Sequence, residues 1–358
     1  VTPPTTGRVA RAPRRLPGAP ASTNAGRELS AGVPVEPGTA RIAVDLLGGD
    51  EAPAVVVDGA LRAFDADPDL HLVLVGPPEV ADGVRDVLPP TQRHRISIRA
   101  AHNVAAADQP ARSGRADTSV RAAVASVAEG AADAVVSAGA TGATVTAAAL
   151  LLGRWPGVRR PALVATLPAL AGPVVLLDVG GSLEASPATL SRHAVLGAAY
   201  ASVAHAVVEP RIGLLSVGTE AGKGDRARRA ADPVLADQPL PVGGRYIGLV
   251  EGYELGHGAR ADVVVTDGFT GNVLLKAIEG AYAMAGGPPA SGGAPRAAAL
   301  LGIAGSVVVC HGAARGDDVA SGIALAAHLH RRGAAAAIST LLADSGRDIR
   351  TTNTEVTA

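Results

Sequence analysis

Residues 262–275 read Asp262-Val-Val-Val-Thr-Asp-Gly-Phe-Thr-Gly-Asn-Val-Leu-Leu275. A short β-branched run passes through a small polar loop into an apolar stretch with helical spacing. Val263–Thr266 is continuously apolar rather than alternating, which suits a strand covered on both faces, as in a parallel sheet. The same pattern recurs along the chain. Ile42–Leu47 runs into Gly48-Gly49-Asp50, Ala134–Ser137 into Ala138–Gly142, and Val174–Val179 into Gly180-Gly181-Ser182. Ile212–Val217 runs into Gly218-Thr219-Glu220, Val307–Cys310 into His311-Gly312, and Leu70–Val75 into Gly76-Pro77. Alanine-rich helical stretches lie between them: Ser119–Gly130, Thr144–Leu152, Pro187–Val208 and Asn272–Ala285. Alternating strand and helix implies βαβ crossovers. If every strand points the same way, the glycine-rich loops gather at one carboxyl edge, where open α/β sheets bind ligands.

The chain of 358 residues is long enough for one large domain or two small ones. Aromatics make up 2% of it, so the core must be aliphatic. A net charge of −1 argues against a general nucleic-acid binder. Arg8, Arg11, Arg14, Arg15 and Arg27 face only Glu28 and Glu36 in residues 1–40, a Pro- and Ala-rich stretch that reads as a disordered arm. It contains arginines but no apolar segment of the secretory type, and its prolines oppose an amphipathic transit helix. The ordered domain is expected over 41–345, with a Gly/Pro connection at 286–295 and a polar, frayed tail at 346–358. A lone cysteine, Cys310, excludes an internal disulfide framework and suits a reducing compartment, hence a cytoplasmic location. The nine histidines are scattered and no metal-ligand spacing appears.

Three loops could do chemistry. Asn272 stands where a helix would begin; it either caps that helix or donates its amide to an oxyanion or phosphate. Lys223, in Gly218-Thr-Glu-Ala-Gly-Lys-Gly-Asp225, is one of two lysines among 32 basic residues, the other being Lys276. A compact ammonium between glycines can reach a phosphate oxygen, although an exposed loop lysine would look the same. The spacing is not that of a P-loop, and Gly48-Gly49 lacks the third glycine of a dinucleotide fingerprint. Adjacent strand residues point to opposite faces, so Cys310 and His311 make a poor nucleophile–base pair. Cys310 reads as core, and His311 as facing either the crevice or the core.

These motifs, in this order, resemble the phosphate acyltransferase (PlsX) family of bacterial phospholipid synthesis. The resemblance covers roughly 41–340 and rests on Arg41–Asp50, Ser137-Ala-Gly-Ala-Thr-Gly142, Arg160–Leu163, Leu176–Gly180, Gly213–Glu220, Lys223-Gly224, Asp262–Asn272 and His311-Gly312. It implies an α/β, Rossmann-like three-layer sandwich with a mostly parallel sheet, of the isocitrate/isopropylmalate dehydrogenase-like type. It also implies a homodimer that needs no cofactor or metal. The implied reaction moves an acyl group from acyl-[acyl carrier protein] to inorganic phosphate, giving acyl phosphate for a glycerol-3-phosphate acyltransferase. Lys223 and Asn272 would be the catalytic side chains. Gly139, Thr141, Gly142, Gly180, Gly181, Ser182, Gly218, Thr219, Asp267, Thr270, Gly271 and His311 would bind substrate, with the Gly139–Gly142 and Gly180–Ser182 amides lining the anion pocket. The acidic carrier would dock on Arg226, Arg228 and Arg229 unless these form only a solvated helix face.

The chain departs from the family pattern at several donors. Glu51, Ala140, Ser182, Glu184, Arg115, Thr118, Leu249, Tyr253, Ala313 and Ala314 stand where relatives carry other residues, mostly polar ones. The long amphipathic hairpin that links relatives to membranes is replaced between Gly280 and Gly293 by a short Gly/Pro stretch. Two other readings remain: a phosphotransacetylase-like enzyme using acyl-coenzyme A, and a non-catalytic paralogue that binds acyl carrier protein or phosphate.

Overall fold

Each apolar run forms a strand, and neighbouring residues along it feed two different cores. In the computed structural model, which describes residues 38–104, 117–287 and 297–355, Ile42 and Val44 pack on one side of the sheet and Ala43 on the other. Leu72 and Leu74 likewise oppose Val73 and Val75. This double coverage explains why the runs do not alternate. Most of the expected arm (residues 1–37) and most of the Gly/Pro connection (288–295) lie outside the described residues, as does Arg115.

The first part of the chain lays down β1 (Ala40–Asp45), α1 (Ala54–Ala66), β2 (Leu70–Gly76), α2 (Pro78–Val87), β3 (Ile96–Ala100), α3 (Ser119–Ala128), β4 (Ala134–Ser137) and α4 (Thr141–Leu151). The middle supplies β5 (Ala162–Leu167), β6 (Val174–Leu177), α5 (Pro187–His205), β7 (Arg211–Leu215), α6 (Arg226–Asp237), β8 (Arg245–Val250), α7 (Glu254–His257), β9 (Val263–Val265) and α8 (Gly268–Met284). It closes with β10 (Ala297–Leu301), β11 (Ser306–Cys310), α9 (Gly316–Arg331) and α10 (Ala334–Glu355), the last running through much of the segment read as a polar tail. Helices α1, α2, α5, α6, α9 and α10 cover one face, and α3, α4 and α8 the other, giving three layers.

The strands join one sheet in the order β3-β2-β1-β4-β11-β10-β5-β6-β9-β7-β8. Pairing is mostly parallel, but β11–β10, β10–β5 and β5–β6 are antiparallel. Three reversals in a row leave β6, β9, β7 and β8 running opposite to β3, β2, β1, β4 and β11. The expectation of one shared carboxyl edge is therefore corrected. The loops after β1, β4 and β11 lie at one edge of the sheet, and those after β6, β7 and β9 at the other.

Candidate functional site

A trough across the middle strands links the two edges. Its floor is made of small side chains, Ala165 on β5 with Ala297 and Ala298 on β10, and its walls come from α4 and α8. The resulting cleft, of about 70 Å³, is lined by Thr141, Gly180, Asn272, Glu279 and His311 among others. Helix α8 is what lets the edges meet. Its 17 residues extend for roughly 25 Å. It starts at the β9 edge and carries Lys276 and Glu279 to His311, at the end of β11.

The start of α8 lies four residues earlier than the sequence suggests. Asp267 is its N-cap, accepting from the Thr270 amide and hydroxyl, each at 2.8 Å. Arg228 donates to the same carboxylate at 2.8 Å. Burial opposes ionisation there, but the Thr270 and Arg228 hydrogen bonds hold the Asp267 carboxyl below the usual carboxylate range. Asn272 thus sits in the second turn and does not cap the helix. Its side-chain amide donates to the Val179 carbonyl at 3.0 Å while facing the cleft. A Cβ at Gly271 would collide with the Asp178 carbonyl oxygen, so only glycine lets α8 approach the β6 loop this closely.

Three amides expected to hold an anion are occupied. The buried Asp178 carboxylate accepts from Gly180 N at 3.0 Å, Gly181 N at 2.7 Å and Ser182 N at 2.7 Å. It also accepts from Leu163 N at 3.0 Å and the Ser182 hydroxyl at 2.9 Å. These donors shape the loop and are not aimed at a ligand. Gly139 N donates to the Ser137 hydroxyl at 3.0 Å, which itself donates to Asp45 at 2.7 Å. Burial pushes the Asp45 carboxyl up, against opposing hydrogen bonds from Ser119, Ser137 and the Leu47 amide.

The amides of Thr141 and Gly142 differ. They begin α4, whose N-cap Ala140 offers no side-chain cap, and neither has a protein acceptor among the described residues. Such a helix start attracts anions. Thr141 borders both the cleft and a neighbouring cavity of about 360 Å³ that also takes in Gly48, Gly49, Asp50 and Gly139.

The residues of the Lys223 loop lie on the other flank of α8. Gly224 and Asp225 line an apolar groove of about 530 Å³ with Leu215, Val217, Phe269, Thr270 and Val273. Lys223 itself is exposed, its stem lying over Gly218, and Thr219 is exposed beside it. The groove residues 269, 270, 273 and 277 share one face of α8, and cleft residues 272, 275 and 279 share another. The expected docking patch also needs correction. Arg228 is 7% exposed, and its guanidinium bonds Leu215 O, Asp225, Thr266 and Asp267. It is an internal strut, which leaves Arg226 and Arg229 exposed. Cys310 points to α9, its thiol pushed up to about 12 by burial, while His311 meets α8.

Lys276 and Glu279 were missed by sequence reasoning. The signal was available: Lys276 is the second of two lysines, and both follow Asn272 at helical spacing. Among the described residues no helix is long and apolar enough to cross a membrane.

Over residues 40–287 the sequence matches the family model described as fatty acid synthesis protein. The chain belongs to that family. Among its relatives are the phosphate acyltransferases of Bacillus mycoides and Desulfitobacterium hafniense, each 38% identical over 244 residues, covering 67% of this chain and 71% of theirs. Among solved structures, the fold is shared with a branched-chain phosphotransacylase from Enterococcus faecalis (TM-score 0.56, 15% identity, 82% of this chain and 99% of that one). A phosphotransacetylase from Streptococcus pyogenes is similar too (TM-score 0.54, 19% identity, 85% and 95%). The family match ends before β10, so His311 and the closing strands lie beyond it.

Proposed function

We propose that this protein transfers an acyl group from a carrier-bound thioester to inorganic phosphate, forming acyl phosphate for phospholipid synthesis. The observation that carries the reading is the cleft between α4 and α8, which Thr141, at the start of α4, and Asn272 both line; among the described residues the amides that open α4 have no protein acceptor. Phosphate is itself the nucleophile, so the protein need only hold it, align it with the carbonyl and stabilise the oxyanion. The α4 amides receive phosphate. Asn272 has two amide hydrogens, and the one not given to Val179 meets the thioester oxygen. Lys223 lies on the groove side of α8, away from the cleft, where it meets the incoming carrier and not the carbonyl, and the apolar groove there takes the acyl chain.

The donor in this reading is acyl-[acyl carrier protein], an acidic protein. Arg154, Arg159 and Arg160 surround a depression that reaches Gly181 and Ser182 beside the cleft, and they replace Arg226, Arg228 and Arg229 as its docking surface. A cytoplasmic homodimer that passes acyl phosphate to a glycerol-3-phosphate acyltransferase belongs to the same reading. The test is to incubate the purified protein with acyl-[acyl carrier protein] and phosphate, then trap acyl phosphate with hydroxylamine. Phosphate-dependent hydroxamate is expected. Its absence would leave only a binding protein, and formation from acyl-coenzyme A alone would favour the phosphotransacetylase-like reading.

A further inference from the structure

His311 stands at the rim of the cleft between two charged residues of α8. Its Nε2 lies 2.9 Å from Glu279 Oε1, and its Nδ1 lies 3.4 Å from Lys276 Nζ. A carboxylate can only accept and an ammonium can only donate. One neutral tautomer satisfies both: Nε2–H donates to Glu279, and Nδ1 presents its lone pair toward Lys276. The Lys276 bond is long for a charge-assisted one, so the ammonium is weakly held. His311 and Glu279 are partly buried, with side chains 31% and 24% exposed, and Lys276 is exposed. A base at the rim of the cleft whose tautomer is set by a carboxylate, next to a loosely engaged, exposed cation, is an arrangement for moving a proton off a bound oxyacid.

We propose that Lys276 seats the phosphate at this end of the cleft and that His311, oriented by Glu279, relays its proton to the leaving group. The inference rests on the reading of the cleft as the site of acyl transfer. Hydrogen phosphate binds between the α4 amides and Lys276, drawing the ammonium from Nδ1 to a phosphate oxygen. The hydroxyl oxygen of hydrogen phosphate forms a bond to the thioester carbonyl carbon as its proton passes to Nδ1. The carbonyl π pair moves onto oxygen. When that oxyanion collapses, the C–S bond breaks, sulfur keeps the electron pair, and Nδ1 returns the proton to it. The products are acyl phosphate and a free thiol, with His311 neutral again. Glu279 is a positioning residue: it touches His311 and no reacting atom.

The test compares wild type with Lys276→Met, His311→Ala and Glu279→Gln in the hydroxamate assay, varying inorganic phosphate and acyl-[acyl carrier protein] separately. Lys276 is exposed, so its variant keeps the fold. Lys276→Met is expected to raise the KM for phosphate at least tenfold and leave the KM for the thioester unchanged. His311→Ala is expected to lower kcat by about 10²–10⁴-fold, with partial recovery in added imidazole. Glu279→Gln should lower kcat more than either KM. If wild type forms acyl phosphate while Lys276→Met keeps its phosphate KM, or His311→Ala keeps its kcat, the inference falls and the proposed function stands. If wild type forms none, both fall.

Discussion

Replacing Asp178 removes the acceptor that shapes the β6 loop, and the structure sets the size of the effect. Oδ1 accepts from Leu163 N, Gly180 N and Gly181 N, and Oδ2 from the Ser182 amide and hydroxyl. In Asp178→Asn, the amide oxygen can keep the first three. The new NH₂ then faces the Ser182 N–H, one donor against another, while the Ser182 hydroxyl can turn and accept. One stranded buried N–H costs about 1–3 kcal/mol, and the remaining bonds lose their charge assistance. A loss of about 2–3 kcal/mol is expected. Asp178→Ala strands four amides, and even after water enters it should cost about 4 kcal/mol or more, in the range reserved for broken buried networks. At about 2 °C per kcal/mol for a domain of this size, melting should fall by about 4–6 °C for Asn and by at least about 8 °C for Ala. Thermal and denaturant unfolding of the three proteins measure this. The Val179 carbonyl that holds Asn272 belongs to the same loop, so turnover should fall alongside stability. Losses within about 0.5 kcal/mol for both variants would refute the claim that these amides serve the fold and not a ligand.

Other consequences are separable. Burial holds the His193 imidazole below its ordinary value, with Asp178, the Thr266 carbonyl and Asp267 opposing. The unfolded chain therefore binds a proton below about pH 6.5 that the folded protein refuses, and stability should fall as pH drops from 7 to 5, by up to about 1.4 kcal/mol per pH unit for each such histidine. His71 and His205 shift the same way. A denaturation midpoint that stays flat over this range would contradict the assignment. Val273 is 54% exposed in the apolar groove, so Val273→Asp should fold normally and lower kcat/KM for long-chain thioesters at least tenfold while sparing short ones; equal losses would remove the groove from acyl binding. Arg159→Glu with Arg160→Glu should raise the KM for acyl-[acyl carrier protein] and leave that for phosphate unchanged. Equal KM values for the carrier would place its docking elsewhere.

The layered α/β architecture was legible because strands buried on both faces leave unbroken Val/Ile/Leu runs. The reversal of direction was not. It depends on β5 and β10, and the latter reads Ala-Ala-Ala-Leu-Leu over 297–301, a pattern that suits a helix as well as a strand. The start of α8 was misplaced because Asp267 and Asn272 are both capable caps, and only the Thr270 and Arg228 bonds to Asp267 decide between them. Thr141, Gly180, Asn272 and His311 do line one cleft. Gly180, Gly181 and Ser182 looked like an anion cradle because sequence cannot tell whether loop amides serve a ligand or an internal carboxylate. The partnership of His311 with Lys276 and Glu279 crosses the sheet from edge to edge, a distance that local pattern does not encode.

The central claim is that phosphate sits at the start of α4. Gly142 is exposed at the second position of that helix, where an aspartate favours the helix through its dipole but places a negative charge on the phosphate seat. The measurement is the KM for inorganic phosphate in acyl phosphate formation by Gly142→Asp, with melting temperature followed in parallel. The account predicts an unchanged or higher melting temperature and a KM for phosphate at least tenfold above that of wild type. A wild-type KM in this variant would contradict it.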